Sequence, residues 1–145
     1  MTTTIPAIIR TACMVGAFSL IAFAYLDVPP SPMISLGGDS VTPHSVKALE
    51  AVTVSRNYEI TRNDPMFVVR TMVQGDCSKN CEIIDLPSGY LLREPGVYRN
   101  HVRDHVIPSS AQAGAWVLQF SVQWQDRFGR TLTKPLPPLG IEVIQ

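Results

Sequence analysis

With 145 residues and a mass of 16.0 kDa, the chain has room for one ordinary domain and an appendage, and two full cores are excluded. Its 12 Lys and Arg balance 12 Asp and Glu, so no basic surplus marks a nucleic-acid footprint, and DNA or RNA is not expected as a partner. The prolines and glycines, 12 and 9 in number, are spread through the chain, which suits many short elements joined by turns.

The first element is apolar. Thr11 to Leu26 (TACMVGAFSLIAFAYL) carries no charge and shows no polar face, and if Arg10 snorkels to the headgroups the helix starts near Ala7. It then reaches about 20 residues, enough to cross a bilayer. Residues 1–26 are therefore expected to be a cytoplasmic tip and a transmembrane signal-anchor helix, with the lipid bilayer as the partner of residues 7–26. Arg10 precedes the segment and Asp27 follows it, so the positive-inside rule leaves the N-terminus in the cytoplasm and places the rest in the periplasm. Cleavage after Ala22-Phe23-Ala24 would export the same domain without its anchor. Cys13 lies ahead of the apolar run and does not fit a lipidation site.

Residues 27–45 (DVPPSPMISLGGDSVTPHS) contain four prolines and a Gly pair, and are expected to form a semi-rigid stalk. Residues 46–145 then break into β-type runs. Ala51 to Ile60 is rich in β-branched residues and ends at Asn63-Asp64-Pro65. Met66 to Gln74 follows, with Phe67, Val69, Thr71 and Val73 on one face. Cys81 to Leu86 is a third strand, turned by Pro87-Ser88-Gly89 into a hairpin with Tyr90 to Arg93. Val97 to Ile107 is more polar and reads as an edge strand or a loop. From Trp116 to Gln125, the residues Trp116, Leu118, Phe120, Val122 and Trp124 alternate with Val117, Gln119, Ser121, Gln123 and Gln125, a mostly polar face, the signature of a half-buried central strand. By this pattern a carboxylate at Phe120 abolishes folding and one at Gln119 is tolerated. Asp126 to Gly129 makes a hairpin connection, and Pro135, Pro137 and Pro138 interrupt the last strand before Ile141 to Ile144.

Few side chains carry candidate chemistry. Cys77 and Cys81 lie between two predicted strands of an exported domain, where a disulfide would pin a short loop. His101 and His105 share a face in either a helix or a strand, and with Asp104 they form the one conceivable metal site, the centre of an alternative reading as a metal-dependent envelope enzyme. Solvated histidines are the simpler reading of the same residues. Neither a nucleophile elbow nor a Cys–His pair nor an H-E-x-x-H motif occurs, so neither catalysis nor a cofactor is expected. Arg93, Arg99, Arg103, Arg127 and Arg130, interspersed with Glu94, Asp104 and Asp126, read as a mixed solvated surface.

The stretch Ile107 to Arg130 resembles the end of bacterial and phage immunoglobulin-like or fibronectin-like sandwich domains. The positions that carry the resemblance are Pro108, Ala111, Gly114, Trp116, Asp126 and Gly129. It implies an all-β fold, an immunoglobulin-like antiparallel sandwich preceded by one N-terminal transmembrane helix. Trp116 stands where such domains often carry a Tyr, so the hydroxyl-to-backbone bond of a tyrosine corner is not expected. The function this implies is a membrane-anchored, non-enzymatic binding or assembly module of the bacterial envelope with a protein partner. A structural membrane protein of a phage particle or lysis system is the alternative, although no heptad run for a membrane-bridging coiled coil is present.

Overall fold

Runs of β-branched residues punctuated by Pro, Gly and Asn leave no helical periodicity, and over residues 29–145, which the computed structural model describes, every regular element is a strand. The strands are β1 (Met33–Ser35), β2 (Ser40–Thr42), β3 (Ser45–Lys47), β4 (Ala51–Ile60), β5 (Met66–Asp76), β6 (Asn80–Leu91), β7 (Gly96–Val106), β8 (Gly114–Gln125), β9 (Thr131–Pro135) and β10 (Leu139–Ile144). Among the described residues no helix is long and apolar enough to cross a membrane, and the anchor expected over residues 7–26 lies outside them.

Two sheets face each other. In the four-stranded sheet, β4 pairs with β1 and β2 on one side and with β7 on the other, all antiparallel. The six-stranded sheet is centred on β8, which pairs with β5 on one side and with β10 and then β9 on the other. Beyond β5 lies β6, and beyond β10 lies β3, whose pairing with β10 is parallel. Trp116, Leu118, Phe120, Val122 and Trp124 are all buried, and they meet Val52, Val54, Tyr58 and Ile60 of β4 in one core. The Trp116 indole N–H donates to the Gln112 carbonyl at 2.8 Å.

The expected stalk differs from what is found. Met33–Ser35 pairs with Ile60, Glu59 and Tyr58, and Ser40–Thr42 pairs with Ser55, Val54 and Thr53, so most of residues 27–45 belongs to the sandwich. Pro32 and Pro43 sit just outside these short strands, where a missing N–H breaks no ladder bond. The expected turn at Pro87-Ser88-Gly89 also differs. Strand β6 runs through it, with a register shift opposite Val68 and Arg70, and the Ser88 hydroxyl accepts the Arg70 backbone N–H at 3.0 Å. Because β6 pairs with β5 alone, its outer side has no ladder for Pro87 to interrupt.

At the other end of this pair, Gly75 (φ +88°) opens the hairpin, and a Cβ there would lie 2.8 Å from the Asn80 carbonyl oxygen. Cys77 and Cys81 are bonded to each other across the hairpin, with Cα atoms 4.6 Å apart.

Candidate functional site: a cationic cleft between the sheets

Strict alternation puts Val52, Val54, Arg56, Tyr58 and Ile60 of β4 on the core face, and likewise Met66, Val68, Arg70 and Met72 of β5. Each strand therefore carries one arginine inward. The face of β5 bearing Phe67, Val69 and Thr71 is the less buried one.

A third set of polar side chains is turned inward by a bulge. In the β4–β7 ladder Tyr58 pairs with Tyr98 and Arg56 with His101, so Asn57 faces both Arg99 and Asn100. Asn100 has φ +50°, and its N–H donates to Asn57 Oδ1 at 2.8 Å. An added residue reverses the parity of everything after it. His101, Arg103 and His105 thus follow Tyr98 onto the cleft side, His105 buried and Arg103 still exposed, and Val102 and Val106 are left exposed on the other.

The result is a cleft of about 60 Å³ between the sheets. One wall is Val54, Arg56, Tyr58, His101, Arg103 and His105, and Val68, Arg70 and Phe120 form the other. The Arg56 guanidinium lies 4.1 Å from the centre of the Phe120 ring, donates from Nη1 to Asp39 Oδ2, and from Nη2 to the Pro137 carbonyl at 3.2 Å. The Arg70 Nη1 donates to the Pro87 carbonyl at 2.6 Å, and no carboxylate pairs with this guanidinium among the described residues. Tyr58 stacks on Tyr98 with ring centroids 5.3 Å apart, and Arg93 covers the other ring at 4.9 Å. Two buried donors are left over: the Tyr58 hydroxyl and Arg56 Nε have no hydrogen-bond partner.

The electrostatics follow from burial in a field of one sign. Burial lowers the pKa of Arg56, opposed by Asp39, and lowers that of Arg70, reinforced by Arg103, though neither guanidinium deprotonates near neutrality. Burial raises Tyr58, which keeps its proton. Burial, and then Arg70, Arg103 and Arg56, push His105 down to about 4, against a small opposing pull from Asp104. His101 is lowered by burial and by Arg93 and Arg103. Both imidazoles are therefore neutral at pH 7.

The sequence-predicted residues are only partly brought together. His101 and His105 share the cleft, but Asp104 points to the opposite face, where its Oδ1 accepts the Thr53 hydroxyl at 2.7 Å. Among the described residues no group of three or more His, Cys, Asp or Glu could hold a metal ion, and a cation beside the two histidines would face Arg103. Of the five arginines read as one surface, Arg103 lines the cleft and Arg93 contacts His101. Arg127 and Arg130 instead flank Phe128 in the β8–β9 hairpin, where Asp126 Oδ2 accepts from Arg130 Nε at 2.6 Å. Sequence reasoning missed Arg56, Tyr58 and Arg70. The signal for Arg56 and Tyr58 was parity: both occupy inward positions in an otherwise apolar-inward strand.

A second hollow, of about 350 Å³, lies beside Phe67, Tyr90, Gln123 and Gln125 and has no guanidinium in its lining.

No protein-family model matches this sequence, and no curated protein matches it. Solved structures do resemble it. The alkylpurine DNA glycosylase AlkC of Pseudomonas fluorescens, bound to DNA with an abasic-site analog, is 14% identical with a TM-score of 0.47, covering 86% of this chain and 34% of that one. The sporulation control protein Spo0M of Bacillus subtilis is 9% identical with a TM-score of 0.39, covering 74% and 50%. The ApaA protein of Bordetella pertussis is 12% identical, also with a TM-score of 0.39, covering 79% and 98%. This chain thus spans about a third of the first and half of the second. Likenesses this distant say nothing of what the cleft binds.

Proposed function

We propose that this chain is a non-enzymatic binding module of the bacterial envelope: an immunoglobulin-like sandwich, held at the inner membrane by an N-terminal helix over residues 7–26, that takes its ligand in the cleft between the sheets. The strand order supports the immunoglobulin-like part. A single sheet of β1 and β2, β4, and β7 faces a sheet centred on β8, and an N-terminal strand, β3, runs parallel to the last one, β10. The indole-to-backbone bond of Trp116 supports it too, since it ties the start of β8 to the chain upstream as a tyrosine corner does. The Cys77–Cys81 bond suits an oxidising compartment.

The observation that carries the binding reading is the lining of the cleft. It offers hydrogen-bond donors in number, and no Ser, Cys, Asp or Glu side chain stands among its lining residues to act as nucleophile or as partner to a histidine. A lining so rich in donors suits holding a ligand rich in acceptors.

The envelope placement is tested on the full chain expressed in a Gram-negative host, with a reporter fused after Gln145 that is active only in the periplasm. Reporter activity, with Cys77 and Cys81 resistant to alkylation until reduced, is the expected result. A reporter active only in its cytoplasmic version rejects the placement.

A further inference from the structure

We infer that the cleft is a binding site for a phosphate-type oxyanion, gripped by the Arg70 and Arg103 guanidiniums and capped by the Tyr58 hydroxyl and Arg56 Nε; this rests on reading the chain as a module that binds through this cleft.

Arg70 is the residue on which the site turns. It is only 5% exposed, it cannot shed its charge, and one of its five N–H donors is used, by the Pro87 carbonyl. A buried guanidinium without a counter-ion is costly, and chains retain one where a partner arrives to pair with it. Inward charges are also a known way to keep edge strands from pairing with other chains, and that explanation suffices for Arg103 and His101 on β7. It fails for Arg70. Strand β5 is paired on both sides, by β6 and β8, so there is no free edge there to protect.

Two further observations point the same way. The Tyr58 hydroxyl, on a side chain 2% exposed, and Arg56 Nε are buried donors without acceptors, and both residues line the cleft. Two orphaned donors on β4, lining the same cleft as a guanidinium from β5, call for an acceptor with several oxygens. The bulge at Arg99 and Asn100 is the second. It buries His105, 7% exposed, and leaves Val102 and Val106 55% and 58% exposed, the reverse of what the hydrophobic effect alone would select. Asp39 neutralises Arg56, so buried Arg70 remains without a carboxylate partner, with solvent-exposed Arg103 also in the lining, facing a space sized for a small anion or a few waters.

The chemistry recognised is a phosphoryl group, and its source is either a free phosphate or a phospholipid headgroup. The test uses the full chain in nanodiscs of zwitterionic lipid, with and without phosphatidylglycerol, and follows the His105 imidazole by NMR while inorganic phosphate is added at constant ionic strength. Anion binding beside His105 offsets the arginine field, so its pKa rises. The expected result is a saturable upward shift of one unit or more, lost in Arg70→Met and kept in Arg127→Gln, with phosphate raising the melting temperature of the wild type and not of Arg70→Met. A shift produced by phosphatidylglycerol with no further change on adding phosphate assigns the headgroup as the source. A His105 pKa and a melting temperature indifferent to both phosphate and phosphatidylglycerol overturn the proposal. So does Arg70→Met with unchanged phosphate response. These readings are made on purified protein, so the anion site and the envelope placement can fail separately.

Discussion

His105 sits at the back of the cleft with its ring 5.6 Å from that of Phe120, and it faces Arg56 of β4, Arg70 of β5 and Arg103 of its own strand, with His101 two turns of the pleat away. Of the acids nearby, Asp104 projects to the other face and Asp39 is engaged by Arg56. The folded imidazole holds its proton less well than the unfolded one, with a pKa of about 4 against 6.5. Between these values the unfolded chain binds more protons, so stability rises with pH through this window. It is complete above pH 6.5 and is lost as the pH falls toward 4. After allowance for solvent screening the contribution is about 2 kcal/mol. Urea unfolding of wild type and His105→Gln at pH 7.5 and pH 4.5 checks it: the wild type should lose about that much more than the variant on acidification. Equal losses would show that His105 titrates normally.

Strand β8 has one covered face and one wet face, and the two sides should answer differently to the same carboxylate. Phe120 is no longer the place to ask. An aspartate there would lie among Arg56, Arg70 and His105 and find compensation, which the alternation in sequence did not foresee. Leu118, 0% exposed, belongs to the hydrophobic core and is not among the cleft's lining residues. Leu118→Asp should cost about 5 kcal/mol or more and prevent folding, whereas exposed Gln119→Asp should change stability by less than about 1 kcal/mol. Urea melts of the two variants decide it, and equal sensitivity would mean that both faces are covered. Period-two alternation made β4, β5 and β8 readable in the sequence as strands, but both faces of β5 are largely apolar, so parity did not reveal that the face with Arg70, and not the one with Phe67, Val69 and Thr71, is the more buried. The inward set of β7 was not readable, because a bulge stabilised by a side chain on a neighbouring strand reverses its parity. Nor was the run of β6 through Pro87, which is allowed only because β6 ended up at an edge.

The N-terminal boundary of the sandwich follows from pairing over long range. Met33, Val41 and Val46, on three short strands, are buried in the common core, and the chain crosses from one sheet to the other between β2 and β3. Composition alone pointed to a stalk, since strands of three residues give no periodic signal and their partners lie far along the chain. A chain beginning at Ser31 should therefore unfold cooperatively, and one beginning at Val46 should be protease-sensitive and aggregate, having lost Met33 and Val41 and bared one side of β4. Limited proteolysis and a thermal melt of both would show it, and a stable fold from Val46 would restore the stalk. The parallel pair of β3 and β10 has a mechanical meaning as well. Ser45, Val46 and Lys47 lie beside Glu142, Val143 and Ile144, and the Glu142 N–H donates to the His44 carbonyl at 2.8 Å. Once β1 and β2 have been drawn off β4, tension between the start of β3 and the end of β10 pulls these parallel neighbours in opposite senses along their axes, so their bonds are loaded in shear and yield together instead of unzipping one by one. The sandwich is thereby built to resist tension along the chain at the seam where its first crossing strand meets its last.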